Sequence, residues 1–226
     1  MDKKVFEKLQ NHVFDKGNTW DIWEDKSQKE PNRLPYFSTW AIWNDSNIKD
    51  LSLINLENAD CLKPNIVFVA LNFSYKLPKN WAYWQNIHNV NRLYELLHGT
   101  RFEGAYITDI VKDYPFSKSE KVQEEIENNK DRRDRNIRWF FEEMNLLGAN
   151  SIEIYLFGKI AEDIFKEYVM QHEQFSEFSK KLRKCQRIDH YGQRNKFFER
   201  NAPTQLGLAS NNEATIHQPL WSCDTR

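Results

Sequence analysis

The chain has 226 residues and a formal net charge of −1, which excludes a global polycation and confines any nucleic-acid contact to a local patch. Eight Trp, nine Tyr and fifteen Phe supply a large aromatic store, suited to a core or to stacking on bases. Seven Gly and seven Pro argue for long helices and against an all-β chain, and three widely spaced cysteines (Cys61, Cys185, Cys223) fit reduced thiols rather than a disulfide framework or a CxxC metal site.

In chain order, Val5, Leu9 and Val13 predict a short amphipathic helix over 2–14. Residues 15–35 are polar with scattered aromatics, including Trp20 and Trp23, and predict an irregular wrap. Trp40, Ile42 and Trp43 form a second apolar segment, and 48–56 reads as a helix or ladder. Ile66–Leu71 is an unbroken apolar run, too short for an ordinary helix and rich in β-branched residues. It predicts a strand covered on both faces, as in a parallel sheet. Asn72 follows at its C-terminal end, the edge where open α/β sheets bind ligands; capping of the next turn is the alternative role.

Val90, Leu93, Leu96 and Leu97 mark a helix over 88–97, ended by Gly99. Gly104–Val111 predicts a second buried strand with Asp109 and Lys112 at its end, and 118–147 one long charged helix with a solvated first half. Ile152–Phe157 predicts a third strand, and Gly158 a tight turn into a helix over 159–169. Residues 180–200 hold eight Lys and Arg against Asp189 and Glu199, an excess of +6, interleaved with Tyr191, Phe197 and Phe198. This is a footprint for phosphate contact, with a solvated surface helix as the alternative. Ala214–Ser222 predicts a short strand and then a loop with His217, Pro219 and Trp221.

This alternation predicts one α/β domain over 1–226, with a mainly parallel central sheet and an N-terminal aromatic-rich segment of about sixty residues. With no signal peptide or long apolar run, the expected protein is cytoplasmic and away from membranes.

Five short stretches, in order, resemble motifs of the uracil-DNA glycosylase superfamily. ALNF at Ala70–Phe73 is similar to its first motif, with Phe73 where Pro is usual. HNVNR at His88–Arg92 is similar to a helix-opening segment of the mismatch-specific uracil/thymine branch. TDIV at Thr108–Val111 falls where members have a stretch near the base pocket, and FGKIA at Phe157–Ala161 looks like the LGKxA turn. HQPLWS at His217–Ser222 resembles the loop HPSPLS, with Gln218 and Leu220 replacing prolines. The cluster-ligand cysteines of some branches are absent, and the first sixty residues lie outside the resemblance.

The resemblance implies a three-layer α/β/α sandwich and a monomeric, monofunctional DNA glycosylase without cofactor or metal. It would flip a damaged or deaminated base from DNA and hydrolyse its N-glycosidic bond. By position, Asn72 holds the attacking water and His217 donates a hydrogen bond to the departing base. Trp221, with Ser222, wedges into the duplex; by the charge excess of residues 180–200 rather than by the resemblance, Lys181, Arg183 and Lys184 would meet the backbone. Phe73, Trp84 and Tyr83 are candidates to stack on the base, with loop packing as the alternative. Asp109 would read the base through an acceptor-only carboxylate, favouring an amino group or ring N–H over uracil O4; pairing with Lys112 is the alternative. A member that binds DNA or a nucleotide without catalysis is the second reading. An unrelated α/β-hydrolase-like domain is a weaker third, as no Gly-x-Ser-x-Gly elbow or Walker sequence is present.

Overall fold

The structure is a computed structural model, and it describes residues 1–15, 32–73, 79–82, 84 and 90–189. Five strands form one sheet: β1 (Ser38–Trp40), β2 (Lys63–Asn72), β3 (Ala105–Val111), β4 (Ile152–Phe157) and β5 (Leu182–Ile188). Their order is β1-β3-β2-β4-β5. β3, β2, β4 and β5 are mutually parallel, and β1 pairs antiparallel with β3 at one edge. The helices α1 (Lys3–Asn11), α2 (Val90–Leu97), α3 (Ser119–Asn128), α4 (Lys130–Leu146), α5 (Lys159–Ile164) and α6 (Phe175–Ser179) complete a three-layer α/β/α arrangement.

The central strands are buried along most of their length, which is why they read as apolar runs instead of alternating ones. Phe68 stacks with Tyr155 and Phe157 across β2 and β4 at centroid distances of 5.3 and 5.5 Å, and Phe102 meets Phe68 edge-on. Phe140 and Phe141 of α4 meet Phe178 of α6, and Phe140 also meets Phe165, which opens a π-helical turn continuing α5. Gly104, at φ +81°, sits where an added Cβ would lie 2.2 Å from the Cys61 carbonyl oxygen, so only glycine admits this approach of the two chains before β2 and β3.

Several sequence expectations are corrected. The apolar segment around Trp40 contributes a strand that was not expected, β1, which extends the sheet, while burial of Leu34, Phe37, Trp40 and Trp43 agrees with a packing role for the aromatics here. Residues 48–56 form turns rather than a helix or ladder. The helix expected over 2–14 stops at Asn11, so Phe6 and Leu9 form its buried face while Val13 is exposed in an extended bridge to Arg33. The long helix over 118–147 is two helices broken at Asn129, whose side chain accepts from the Arg132 N–H and caps α4. The first half is not solvated all round, since Val122 and Ile126 are buried. The fourth parallel position belongs to Leu182–Ile188, within the segment read as a basic patch or surface helix. The strand expected at 214–216 lies outside the described residues, as does the wrap over 16–31. Of the described cysteines, Cys185 is free and Cys61 is disulfide-bonded, against the expectation of reduced thiols.

Candidate functional site

The strand order sets where a ligand fits. β2 leads to β3 on one side of the sheet and β4 leads to β5 on the other, so the chain leaves these adjacent strands in opposite directions. A crevice opens at such a switch point, outside the C-terminal ends of the strands. Here those ends are Asn72 and Phe73 after β2, and Phe157, Gly158 and Lys159 after β4. Gly158 adopts φ +82° with open space around the position of a Cβ.

Asn72 is half-buried and held by its amide nitrogen. Nδ2 lies 2.8, 3.2 and 2.9 Å from the carbonyl oxygens of Phe73, Tyr114 and Phe116, which ties the end of β2 to the loop after β3. With the nitrogen so committed, the direction of Oδ1 is fixed. That oxygen makes no side-chain hydrogen bond among the described residues and is an oriented acceptor at the sheet edge.

Asp109 sits one strand away, level with Ala70 and two residues short of the edge, where Val111 is level with Asn72. Its side chain is 0 % exposed, and neither carboxyl oxygen has a hydrogen-bond partner among the described residues. Burial, with the Glu143 carboxylate nearby, pushes its pKa well above the usual carboxylate range against the pull of Lys112. Burial thus favours the neutral form of this acid, which sits in the interior, two residues short of the edge. Its carboxyl does not pair with Lys112 in the expected way. Lys112 Nζ donates to the Asp109 main-chain carbonyl and lies 2.9 Å from Glu143 Oε2. Glu143 Oε1 accepts from Tyr106 and Thr108 at 2.7 and 2.8 Å.

Beside this pair, Asp113 accepts from Arg135 Nε and from Asn136 Nδ2 at 2.8 and 2.6 Å. The Lys112 N–H donates to Asn136 Oδ1 at 2.6 Å. The turn out of β3 is thus pinned to α4 by buried, mutually satisfied polar groups.

Other sequence candidates are placed differently. Phe73 is fully buried, 5.2 Å from Phe37, and Trp84 is buried 6.3 Å from Phe157, so both belong to packing in this structure. Lys181, Arg183 and Lys184 stand at the start of β5. Lys184 is level with Glu153 and thereby with Ile66, whereas Asn72 lies six residues further along, about 20 Å at strand rise. Lys181, Arg183 and Lys184 therefore stand at the other end of the sheet from Asn72, whereas Arg187 is level with Leu156 and thereby with Val69. Arg183 and Lys184 are exposed, and Lys184 Nζ lies 5.2 Å from the Tyr155 ring centroid. His217, Trp221, Ser222 and Tyr83 lie outside the described residues.

The sequence reading passed over the loop that Asn72 holds. Tyr114 and Phe116 stack at 5.6 Å, 8° from parallel, and the Arg132 guanidinium lies 4.9 Å from the Tyr114 ring. Phe116 is 37 % exposed. The available signal was two aromatics flanking Pro115 directly beyond a predicted strand end.

No protein-family model matches the chain, and no curated protein matches it. No helix among the described residues is long and apolar enough to cross a membrane.

Proposed function

We propose that the chain is a DNA glycosylase-like protein that hydrolyses the N-glycosidic bond of a damaged or deaminated base after flipping it from DNA. The observation that carries this reading is Asn72, whose amide is locked through nitrogen so that oxygen is left as a fixed acceptor at the switch-point edge. An oxygen acceptor orients a water without acting as a base. Cleavage of a C–N glycosidic bond builds positive charge on the sugar, so a positioned water needs little further activation. The motif resemblance supplies the second group: His217 would donate to the departing base and stabilise charge that develops only in the transition state.

The burial of Phe73, Trp84 and Asp109 favours a second reading, a superfamily-like module that binds DNA or a nucleotide without cleaving it. An abasic-site assay separates the two, using oligonucleotides that carry uracil, hypoxanthine or cytosine lesions. On the glycosylase reading, the wild type generates abasic sites, Asn72→Ala slows single-turnover cleavage, and His217→Ala slows it while DNA affinity is retained. For His217 the loss is about 100- to 1,000-fold, as for one hydrogen bond aimed at developing charge. Thermal melts of Asn72→Ala distinguish a water left unheld from a loosened loop. Binding without cleavage by the wild type selects the module reading; neither binding nor cleavage overturns both.

A further inference from the structure

Phe116 differs from the other aromatics near the sheet edge in being both exposed and fixed. Among the described residues the large hydrophobic side chains that reach this exposure are Val13, Phe116 and Met170, and Phe116 alone of these is aromatic. Three features hold it. Its own carbonyl and that of Tyr114 accept from Asn72 Nδ2. Pro115 between them is buried. Its ring lies almost parallel to Tyr114, whose ring in turn neighbours Arg132. Arg132 is itself set by Glu125 at 2.5 Å and Asp113 at 3.5 Å. An exposed, pre-oriented aromatic face loses little conformational freedom when a flat partner is laid on it. Exposed Lys118, two residues on, adds positive charge to the same segment.

Resting on the DNA reading above, we propose that Phe116 is a base-stacking residue, with Tyr114 as its backing, for an unpaired nucleobase at the C-terminal edge of the sheet. Asn72 then has two tasks in one amide: its nitrogen sets the stacking loop and its oxygen faces the ligand. The edge thereby acquires the aromatic contact that buried Phe73 and Trp84 do not offer. Every base has a π-face, so the contact is tolerant of sequence, and it needs a base out of the duplex stack.

The test compares the full chain with Phe116→Ala and Phe116→Trp by fluorescence anisotropy. The probes are a labelled oligothymidylate and a strand of equal length built entirely of abasic nucleotides, which keeps the phosphates and removes the bases. Phe116→Ala should weaken binding to the thymidylate by about 5- to 150-fold, the loss of one base–aromatic stack, and leave the abasic strand unchanged. Phe116→Trp should retain the thymidylate affinity. Equal losses on both strands, or no loss on either, overturn the stacking role while leaving DNA binding in place. A wild type that binds neither strand overturns the DNA reading and this inference together, and unaltered melts of both variants show that the comparison is between folded proteins.

Discussion

At the C-terminal end of β3, Lys112, Asp113, Asn136 and Glu143 are fully buried and bonded to one another; at the start of β5, Arg183 and Lys184 are exposed. Both regions are rich in charge, and both follow or open a strand of the same sheet. In the first, each of these four residues has been taken out of water and has a replacement partner in the protein, so removing one leaves another stranded. In the second, the cations stay exposed to water, and Lys184 also lies over the Tyr155 ring and helps Arg101 hold the Glu153 carboxyl below its usual range, so their loss exposes no buried partner. Charge near the sheet therefore has two opposite meanings, structural where it is matched and dry, and available for a ligand where it is wet.

The largest expected effect lies in the buried region. Lys112→Met leaves the Glu143 carboxylate without its cation and the Asp109 carbonyl without its donor. The expected cost is about 3–5 kcal/mol in urea denaturation, the range for breaking a buried pair from one side. Adding Glu143→Leu should recover part of that loss, because the remaining charge goes too, although the Tyr106 and Thr108 hydroxyls then lose their acceptor. A double variant no more stable than Lys112→Met would show that the pair is not what holds this region.

Asp109 gives a smaller, pH-dependent effect and tests whether a buried acid without a partner behaves like its matched neighbours. Its native pKa is raised, so above the unfolded value of about 3.8 the unfolded chain releases a proton that the native chain keeps. Stability contributed by this group is present below that value and falls as pH rises, by about 1.4 kcal/mol per pH unit, until the native carboxyl ionises. Asp109→Asn is neutral in both states and removes this slope. The variant should be close to wild type at pH 4 and increasingly more stable toward neutral pH in parallel denaturation curves. Parallel stabilities across that range would mean that the native carboxyl titrates normally.

The two regions also differ in how far they were legible in the sequence. β2, β3 and β4 announce themselves because strands covered on both faces are apolar throughout. β5 carries Arg183, Lys184 and Arg187 because it is an edge strand with exposed residues on both faces, so neither apolar continuity nor alternation marks it. The break at Asn129 was hidden for a related reason: its cap sits in a charged run that reads as one solvated helix face. At the candidate site, the position of Asn72 was visible as the residue ending an apolar run. Its bonds were not, because they reach 42 and 44 residues along the chain to Tyr114 and Phe116. The burial of Asp109 was equally hidden, since it depends on which elements cover a strand end that sequence alone leaves open.

The smallest expected effect on stability belongs to the exposed region, and there the comparison is sharpest. Reversing Lys181, Arg183 and Lys184 to Glu should change unfolding free energy only slightly, as surface substitutions usually stay within about 0.5 kcal/mol each. If these cations meet DNA phosphates, the same variant should bind all sequences more weakly. Its plot of log affinity against log salt should also be shallower, by about 0.9 for each phosphate that is no longer neutralised. The distance to Asn72 sharpens the expectation. At about 20 Å along the strands, phosphates held here lie far from a base at the β2 edge. Reversal should therefore lower affinity without altering single-turnover cleavage at saturating protein. A large drop in stability would move the β5 cluster into the structural class with Lys112 and Glu143. An unchanged salt slope at full stability would detach these cations from DNA and leave nucleic-acid contact to the Asn72 edge alone.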